Sequence, residues 1–421
     1  MNYTLIGGGI FLVVYTLIVS ERIHRTISAL LGGVIMILLG IVTQEQAFDA
    51  IDWNVIFLLV GMMSIAYMLR ETGLFQWVAV KAVRLGKGQP MRILLILTVI
   101  TAITSALLDN VTIVVLVAPV TLLVASSLRI SPIPFLIAEI LASNIGGTAT
   151  LIGDPPNILI GSAASIDFTT FAANMAPISL IILLVFIGLA RIMFRKELHG
   201  REQGDLEIDV LDTSALIIDG TRLRKAIIVL TGVVIGFFVH SVLHLESATI
   251  AMTGAVVLML WGQYDPHEVL RDIEWTTLFF FIGLFITIEG INNVGIIAAA
   301  GEAALRLTGG SLPFTSMLLI WFSAIASGIV DNIPYTVTMI PLVERLGITM
   351  PITALWWSLA LGACLGGNLT LIGAAANVFV ANLAEKSGQP IGFTRFLRYS
   401  LVVTFVSLLL ASVYVWLLYL I

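Results

Sequence analysis

Long apolar runs separated by short polar stretches recur along the chain, and the longer ones suit helices crossing a hydrocarbon core of about 30 Å. Crossings are predicted near residues 3–20, 27–42, 54–70, 133–163, 175–194, 226–243, 248–262, 275–291, 351–382 and 399–420. Several are short, which implies packing against neighbours. Two further runs, 93–124 and 314–343, carry an Asp-Asn pair near the middle and a proline later, at Pro119 and Pro341. They read as re-entrant hairpins that enter and leave on one side. Stretches 74–87 and 296–308 follow the third span of each half and read as interfacial helices bracing the hairpins.

The polar interruptions occur twice. Ser105-Ala-Leu-Leu-Asp109-Asn110 returns 222 positions later as Ser327-Gly-Ile-Val-Asp331-Asn332. Gly146-Gly147-Thr-Ala-Thr150-Leu-Ile-Gly153 returns 220 positions later as Gly366-Gly367-Asn-Leu-Thr370-Leu-Ile-Gly373. Trp53/Trp275, Gly61/Gly283 and Gly73/Gly295 keep the 222 spacing. Lipid forbids unpaired backbone unless it lines a cavity, so glycine-broken spans point to an internal site. Paired breaks in two halves are the mark of a secondary transporter's binding site. The expected fold class is an all-α polytopic membrane protein with about ten transmembrane helices and two re-entrant hairpins. Two broken helices line a midplane site. The first repeat spans 1–194, with its hairpin at 93–124 and broken helix at 133–163; a linker spans 195–225. The second repeat spans 226–421, with its hairpin at 314–343 and broken helix at 351–382.

Charge gives the orientation. With the N-terminus outside, all but two of the 21 Lys and Arg residues fall on the cytoplasmic side or at its helix ends, the exceptions being Arg306 and Arg345. Five crossings and one hairpin per half then invert the second repeat relative to the first. Both termini are expected outside and the linker, rich in Glu202, Asp205, Glu207, Asp209 and Asp212, in the cytoplasm. The first apolar run lacks a basic leader and is read as a retained helix. Composition agrees: 59% of residues are hydrophobic and 11% charged, with mean hydropathy +1.06, far from a soluble domain. The single Cys364 excludes an intrachain disulfide and any cysteine-cluster metal site. No Walker A sequence is present, which argues against ATP hydrolysis, and the chain is not read as an enzyme.

Candidate binding residues lie at the breaks: Asp109, Asn110 and Thr112 at the first hairpin tip; Asn144, Gly146, Gly147, Thr148, Thr150, Asp154 and Asn157 in the first broken helix. The second copy supplies Asp331, Asn332, Cys364, Gly366, Gly367, Asn368, Thr370 and Asn377. A broken helix exposes carbonyls at one half-helix end and N–H groups at the next, and so holds small ions without a dedicated charge. An ionised Asp at bilayer depth costs roughly 2.5–3.5 kcal/mol, which a cation, a proton or dipoles must offset. Asp109, Asp331 and Asp154 are therefore candidate proton-coupling residues. The plainer alternative is that each Asp-Asn pair caps the second helix of its hairpin. Asp154 has no acidic counterpart in the second copy, Gly373-Ala374-Ala375-Ala376-Asn377, so the pocket is asymmetric. Glu139, about one turn before the first loop, is a proton relay or a partner for a neighbouring helix. Cys364 by default is a small buried hydrophobe. His240 and His244 read as solvated residues at an outer helix end, and no histidine cluster suits a metal.

The stretch Leu108-Asp-Asn-Val-Thr…Ala-Pro119 followed by Ala142-Ser-Asn-Ile-Gly-Gly-Thr-Ala-Thr-Leu-Ile-Gly-Asp-Pro-Pro-Asn157 resembles the ion transporter superfamily. The likeness is to its branch of ArsB arsenical-pump permeases and the melanosomal P protein. It implies inverted repeats, a homodimer with elevator-like movement, and a substrate held between the hairpin tips and the loops at Asn144–Asn157 and Cys364–Asn377. Relatives include arsenite exporters, sodium/proton antiporters and di- or tricarboxylate carriers. The carboxylate carriers use a Ser-Asn-Thr tip where this chain has Asp-Asn, which argues against carboxylate uptake. The branch motif leaves the solute open; an acidic tip repels dianions but takes protons or lies beside a neutral hydroxyl-bearing solute, and so the expected function is efflux of arsenite or antimonite, an uncharged small inorganic solute, across the inner (plasma) membrane in exchange for protons. Sodium/proton antiport through Asp109, Asp154 and Asp331 is the alternative, and a di- or tricarboxylate (citrate-like) or other anion carrier is the less favoured one. No cofactor beyond the coupling ion, H+ or Na+, and no nucleic acid is expected. A cytoplasmic arsenical-pump ATPase would couple at the linker. A channel and a receptor-like protein are the remaining classes; no sizeable soluble signalling domain supports the latter.

Overall fold

A computed structural model describes residues 3–20, 22–198 and 218–421; most of the linker, including its acidic residues, lies outside the described residues. The first half contains α1 (Tyr3–Ser20), α2 (Arg25–Leu38), α3 (Gln44–Asp49), α4 (Trp53–Arg70), α5 (Leu74–Leu85), α6 (Pro90–Ser105), α7 (Asn110–Ser127), α8 (Ile133–Gly147), α9 (Pro155–Ala163) and α10 (Phe168–Met193). After the single turn α11 (Arg195–Leu198), the second half runs through α12 (Gly220–Leu243), α13 (Ser247–Gly262), α14 (Pro266–Arg271), α15 (Trp275–Asn293) and α16 (Ile296–Thr308). It continues with α17 (Leu312–Val330), α18 (Asn332–Gly347), α19 (Ile352–Gly366), α20 (Ala375–Lys386) and α21 (Phe393–Val415). Helix for helix, α12 to α21 repeat α1 to α10 in the same order.

The chain is an all-helical membrane protein, with 8 helices among the described residues long and apolar enough to cross a bilayer and several shorter apolar ones. Both broken spans are present, as α8–α9 and α19–α20. The expected crossings at 27–42 and 248–262 are short helices of 14 and 16 residues. Two elements were not anticipated. α3 and α14 are too short for an apolar signal, yet each has a local one: a Thr43/Gln46 capping box and an Asp265 cap followed by Pro266. Two hairpin arms, α7 with 18 residues and α17 with 19, are themselves long and apolar enough to cross a bilayer. Their tips nevertheless stop against the broken helices, where Asn110 and Asn332 donate backbone N–H groups to Gly153 and Gly373 carbonyls, both at 3.1 Å.

Two equivalent helix pairs form a tight frame: α2 against α15 and α4 against α13. The spaced glycines explain their closeness. A Cβ on Gly283 would lie 2.5 Å from the Ala29 backbone, and one on Gly61 would lie 2.7 Å from the Ala251 backbone. Each hairpin then lays its first arm on its own broken helix, α6 on α8 and α17 on α19. The second arm reaches into the opposite half, α7 against α20 and α18 against α9. That exchange brings both sets of polar loops to the boundary between the halves.

Candidate functional site

Where a helix breaks in an apolar interior, its freed carbonyls must find donors. The two halves solve this identically. Asn157 Nδ2 donates to the Gly147 and Thr150 carbonyls at 3.0 and 2.9 Å, and Asn377 Nδ2 donates to those of Gly367 and Thr370 at 2.7 and 2.9 Å. Ser105 Oγ bonds the Ser143 carbonyl at 2.7 Å and Ser327 Oγ that of Ala363 at 2.6 Å. Thr150 and Thr370 tie each loop to its hairpin through the Ala106 and Gly328 carbonyls. Thr148 bonds back to Asn144 O within α8. Gly146 and Gly366 let each hairpin arm approach: an added Cβ would lie 2.0 Å from Ala102 O and 2.5 Å from Ala324 O.

Side chains also bond across the boundary. Asn144 Nδ2 donates to Asn368 Oδ1 at 2.9 Å and Asn377 Oδ1 at 3.0 Å, while its Oδ1 accepts from Asn110 at 3.0 Å. Cys364, which occupies the Asn144 position of the second copy, donates to Asn157 Oδ1 at 3.1 Å. Its thiol is thus a member of the polar network, a correction to its reading as a buried hydrophobe. Asn332 Nδ2 reaches both Asp154 oxygens, at 3.1 and 3.3 Å. The bonds form two polar clusters side by side at the boundary, Asn110, Asn144, Asn368 and Asn377 in one and Asp154, Asn157, Asn332 and Cys364, whose thiol also contacts Asp154, in the other.

The carboxylates differ in their surroundings. Asp154 is fully buried at the start of α9 but its side chain makes no capping bond there. Among the described residues it makes no ion pair. Asp109 and Asp331 both lie within electrostatic reach of it. Both do cap their helices: Asp109 accepts from the Thr112 N–H at 2.9 Å and from its hydroxyl, and Asp331 accepts from the Ile333 N–H at 3.0 Å. Asp331 sits at φ +90, a conformation unusual for a residue with a side chain. It also pairs with Arg25 Nη1 at 3.2 Å. Glu139 stands apart, its only hydrogen-bond partner among the described residues being the Thr121 hydroxyl.

Arg25 was missed in the sequence. It opens α2, stacks over the Phe280 ring at 5.4 Å and meets Asp331 from 306 positions away. Read as one more charge at a cytoplasmic helix end, it carries no local sign of this contact. Glu274 was missed likewise; it lies within electrostatic reach of Asp109 and Arg25 and, with Thr112, Arg70 and Asp272, lines a small cavity of about 50 Å³. His240 departs from the solvated reading: its Nε2 accepts the Phe168 N–H at 3.1 Å, so it caps α10, and its Nδ1 lies 2.9 Å from Leu245 O. Among the described residues no group of three His, Cys, Asp or Glu is placed to hold a metal.

Comparison with known proteins gives consistent results. Residues 15–362 match the family model CitMHS, described as citrate transporter. An uncharacterized transporter of Mycobacterium tuberculosis is 43% identical over 97% of both chains, and a 46 kDa membrane protein of Mycobacterium leprae is 42% identical over 98% of both. The P protein of Homo sapiens is 33% identical over 91% of this chain and 56% of its own. Among solved structures, the YdaH transporter of Alcanivorax borkumensis shares the fold, with TM-score 0.58 and 16% identity over 91% of this chain and 88% of that one.

Proposed function

This chain belongs to the CitMHS citrate transporter family of membrane transporters, and on that premise we propose that it is a secondary active carrier exchanging arsenite or antimonite for protons, as the ArsB-like branch does. One observation carries the reading. The buried Asp154 carboxylate, held by Asn332 and without an ion-pair partner among the described residues, lies at the meeting point of both broken helices. Such a site suits protons, cations or an uncharged solute bearing hydroxyls. Asn144, Asn368 and Asn377 offer the donors and acceptors that a trihydroxy acid needs, and weak carboxamide contacts permit release where three thiolates would not. Proton uptake by Asp154, Asp109 or Asp331 as solute departs supplies the coupling.

A second reading is a citrate-like anion carrier. The family description favours it, and Arg25 beside Asp331 is its best supporting residue. Three carboxylates facing a polyanion oppose it unless protons or an accompanying cation neutralise them. The protein is proposed to work as a homodimer in the inner (plasma) membrane with both termini outside and the linker inside, where an arsenical-pump ATPase would dock.

Purified protein in liposomes, challenged in parallel with arsenite, citrate and sodium under an imposed pH gradient, separates these readings. Arsenite flux accompanied by protons supports the proposal. Proton movement driven by sodium alone, or citrate accumulation with no arsenite flux, replaces it with the corresponding alternative.

A further inference from the structure

Glu139 lies on α8, one turn before the break, yet it takes no part in the polar network. Its residue is almost completely buried, at 1% exposure. One carboxyl oxygen accepts from the Thr121 hydroxyl of α7, and the other meets no hydrogen-bond partner among the described residues. The helices packed on α8 carry charges, Arg92 on α6, Arg191 on α10, Glu385 and Lys386 on α20, and Arg395 and Arg398 on α21. Among the described residues none of these forms an ion pair with Glu139, whose hydrogen-bond partner is Thr121. An uncompensated charge there is far more costly than a neutral carboxyl short of one hydrogen bond.

The second half is an internal control. Thr121 corresponds to Val343 and Glu139 to Leu359, both fully buried, between the equivalent helices α18 and α19. An apolar pair therefore does the packing, and the fold itself needs no carboxyl at this place. Its retention in one half only is explained by chemistry rather than architecture. We propose that Glu139 is a proton-binding site separate from the solute network, loaded and emptied once per transport cycle. Thr121 positions it and stabilises its ionised form by donating when the proton is away. The assignment rests on the proton-coupled reading above. It adds a proton that does not compete with solute for Asp154.

Infrared difference spectra of the purified protein in lipid, taken between acidic and alkaline buffer, test the site without any solute. The expected result is a protonated-carboxyl band that bleaches on alkalinisation in wild type and is missing from Glu139→Gln. A titrating band left intact by that substitution overturns the assignment. In liposomes, with proton and arsenite fluxes recorded together, Glu139→Gln should lower the protons exchanged per arsenite while arsenite counterflow at equal pH stays within about twofold of wild type. The double variant Thr121→Val/Glu139→Leu, which copies the second half, should fold and lose the same proton. An unchanged proton-to-arsenite ratio, or lost counterflow in both variants, shows Glu139 to be structural or solute-binding. Wild type that exports arsenite without protons overturns both this role and the proposed function. Wild type that moves no arsenite overturns the function alone, and the infrared band still decides Glu139.

Discussion

Asn332, at the tip of the second hairpin, donates one amide group to both oxygens of Asp154 in the first broken helix, at 3.1 and 3.3 Å across 178 positions of sequence. The bond closes the second half onto the most deeply buried carboxylate of the first. Asn332→Ala takes away that carboxylate's amide donor and leaves it the Cys364 thiol, a loss of about 1–3 kcal/mol for a buried group. Solute affinity and thermal stability in detergent should both fall. Asn332→Asp should be worse, because it sets a second carboxylate against Asp154.

Arg25 meets Asp331 at the edge of the same site, with side-chain exposures of 30% and 12%. Partial burial shields this pair from salt screening, and removal of the guanidinium takes a neutralising charge away from a largely buried carboxylate. Arg25→Gln should slow transport several-fold while leaving expression near normal, and the mirrored change at Ser247, which holds the equivalent position of the other half, should have little effect. Initial rates in liposomes check both. Equal losses at the two positions would mean that Arg25 has no special part.

Gly146 tests the close approach of hairpin and broken helix. Gly146→Ala places a Cβ 2.0 Å from Ala102 O, a backbone atom that cannot swing away. A destabilisation of about 1–3 kcal/mol or more is expected. Gly9→Ala, with nothing within 4 Å, is the matched control and should be silent in a thermal-shift assay.

Cys364 is fully buried and donates to Asn157. A membrane-permeant maleimide should therefore label it slowly in the folded protein and quickly after denaturation. Cys364→Ser keeps a donor and should retain more transport than Cys364→Ala.

Much of this architecture is legible in the sequence because the signals are written twice. The Ser105/Ser327, Thr150/Thr370 and Asn157/Asn377 pairs make matching bonds in the two halves, so a repeat in sequence became a repeat in hydrogen bonding. The breaks at 148–154 and 367–374 were visible because glycine and polar residues, and in the first copy Pro155 and Pro156, interrupt apolar runs. What stayed hidden depends on distance. Arg25 reaches Asp331 only because α2 packs on α15, which in turn contacts α18, and nothing near residue 25 announces it. The cap made by His240 escaped for the same reason, since the ring and the Phe168 amide are 72 positions apart. Local capping signals for α3 and α14 were present but too short to stand out against the long apolar runs.

Asp154→Asn examines the shared site most directly, since it removes one charge and keeps the side chain's shape. Proton and arsenite fluxes should be recorded together in liposomes for wild type and this variant, with folding verified by thermal shift. The account predicts coupled exchange in wild type and a loss of at least about tenfold in the variant, as expected when a buried coupling charge is removed. Undiminished proton-driven arsenite flux through folded Asp154→Asn protein would contradict it.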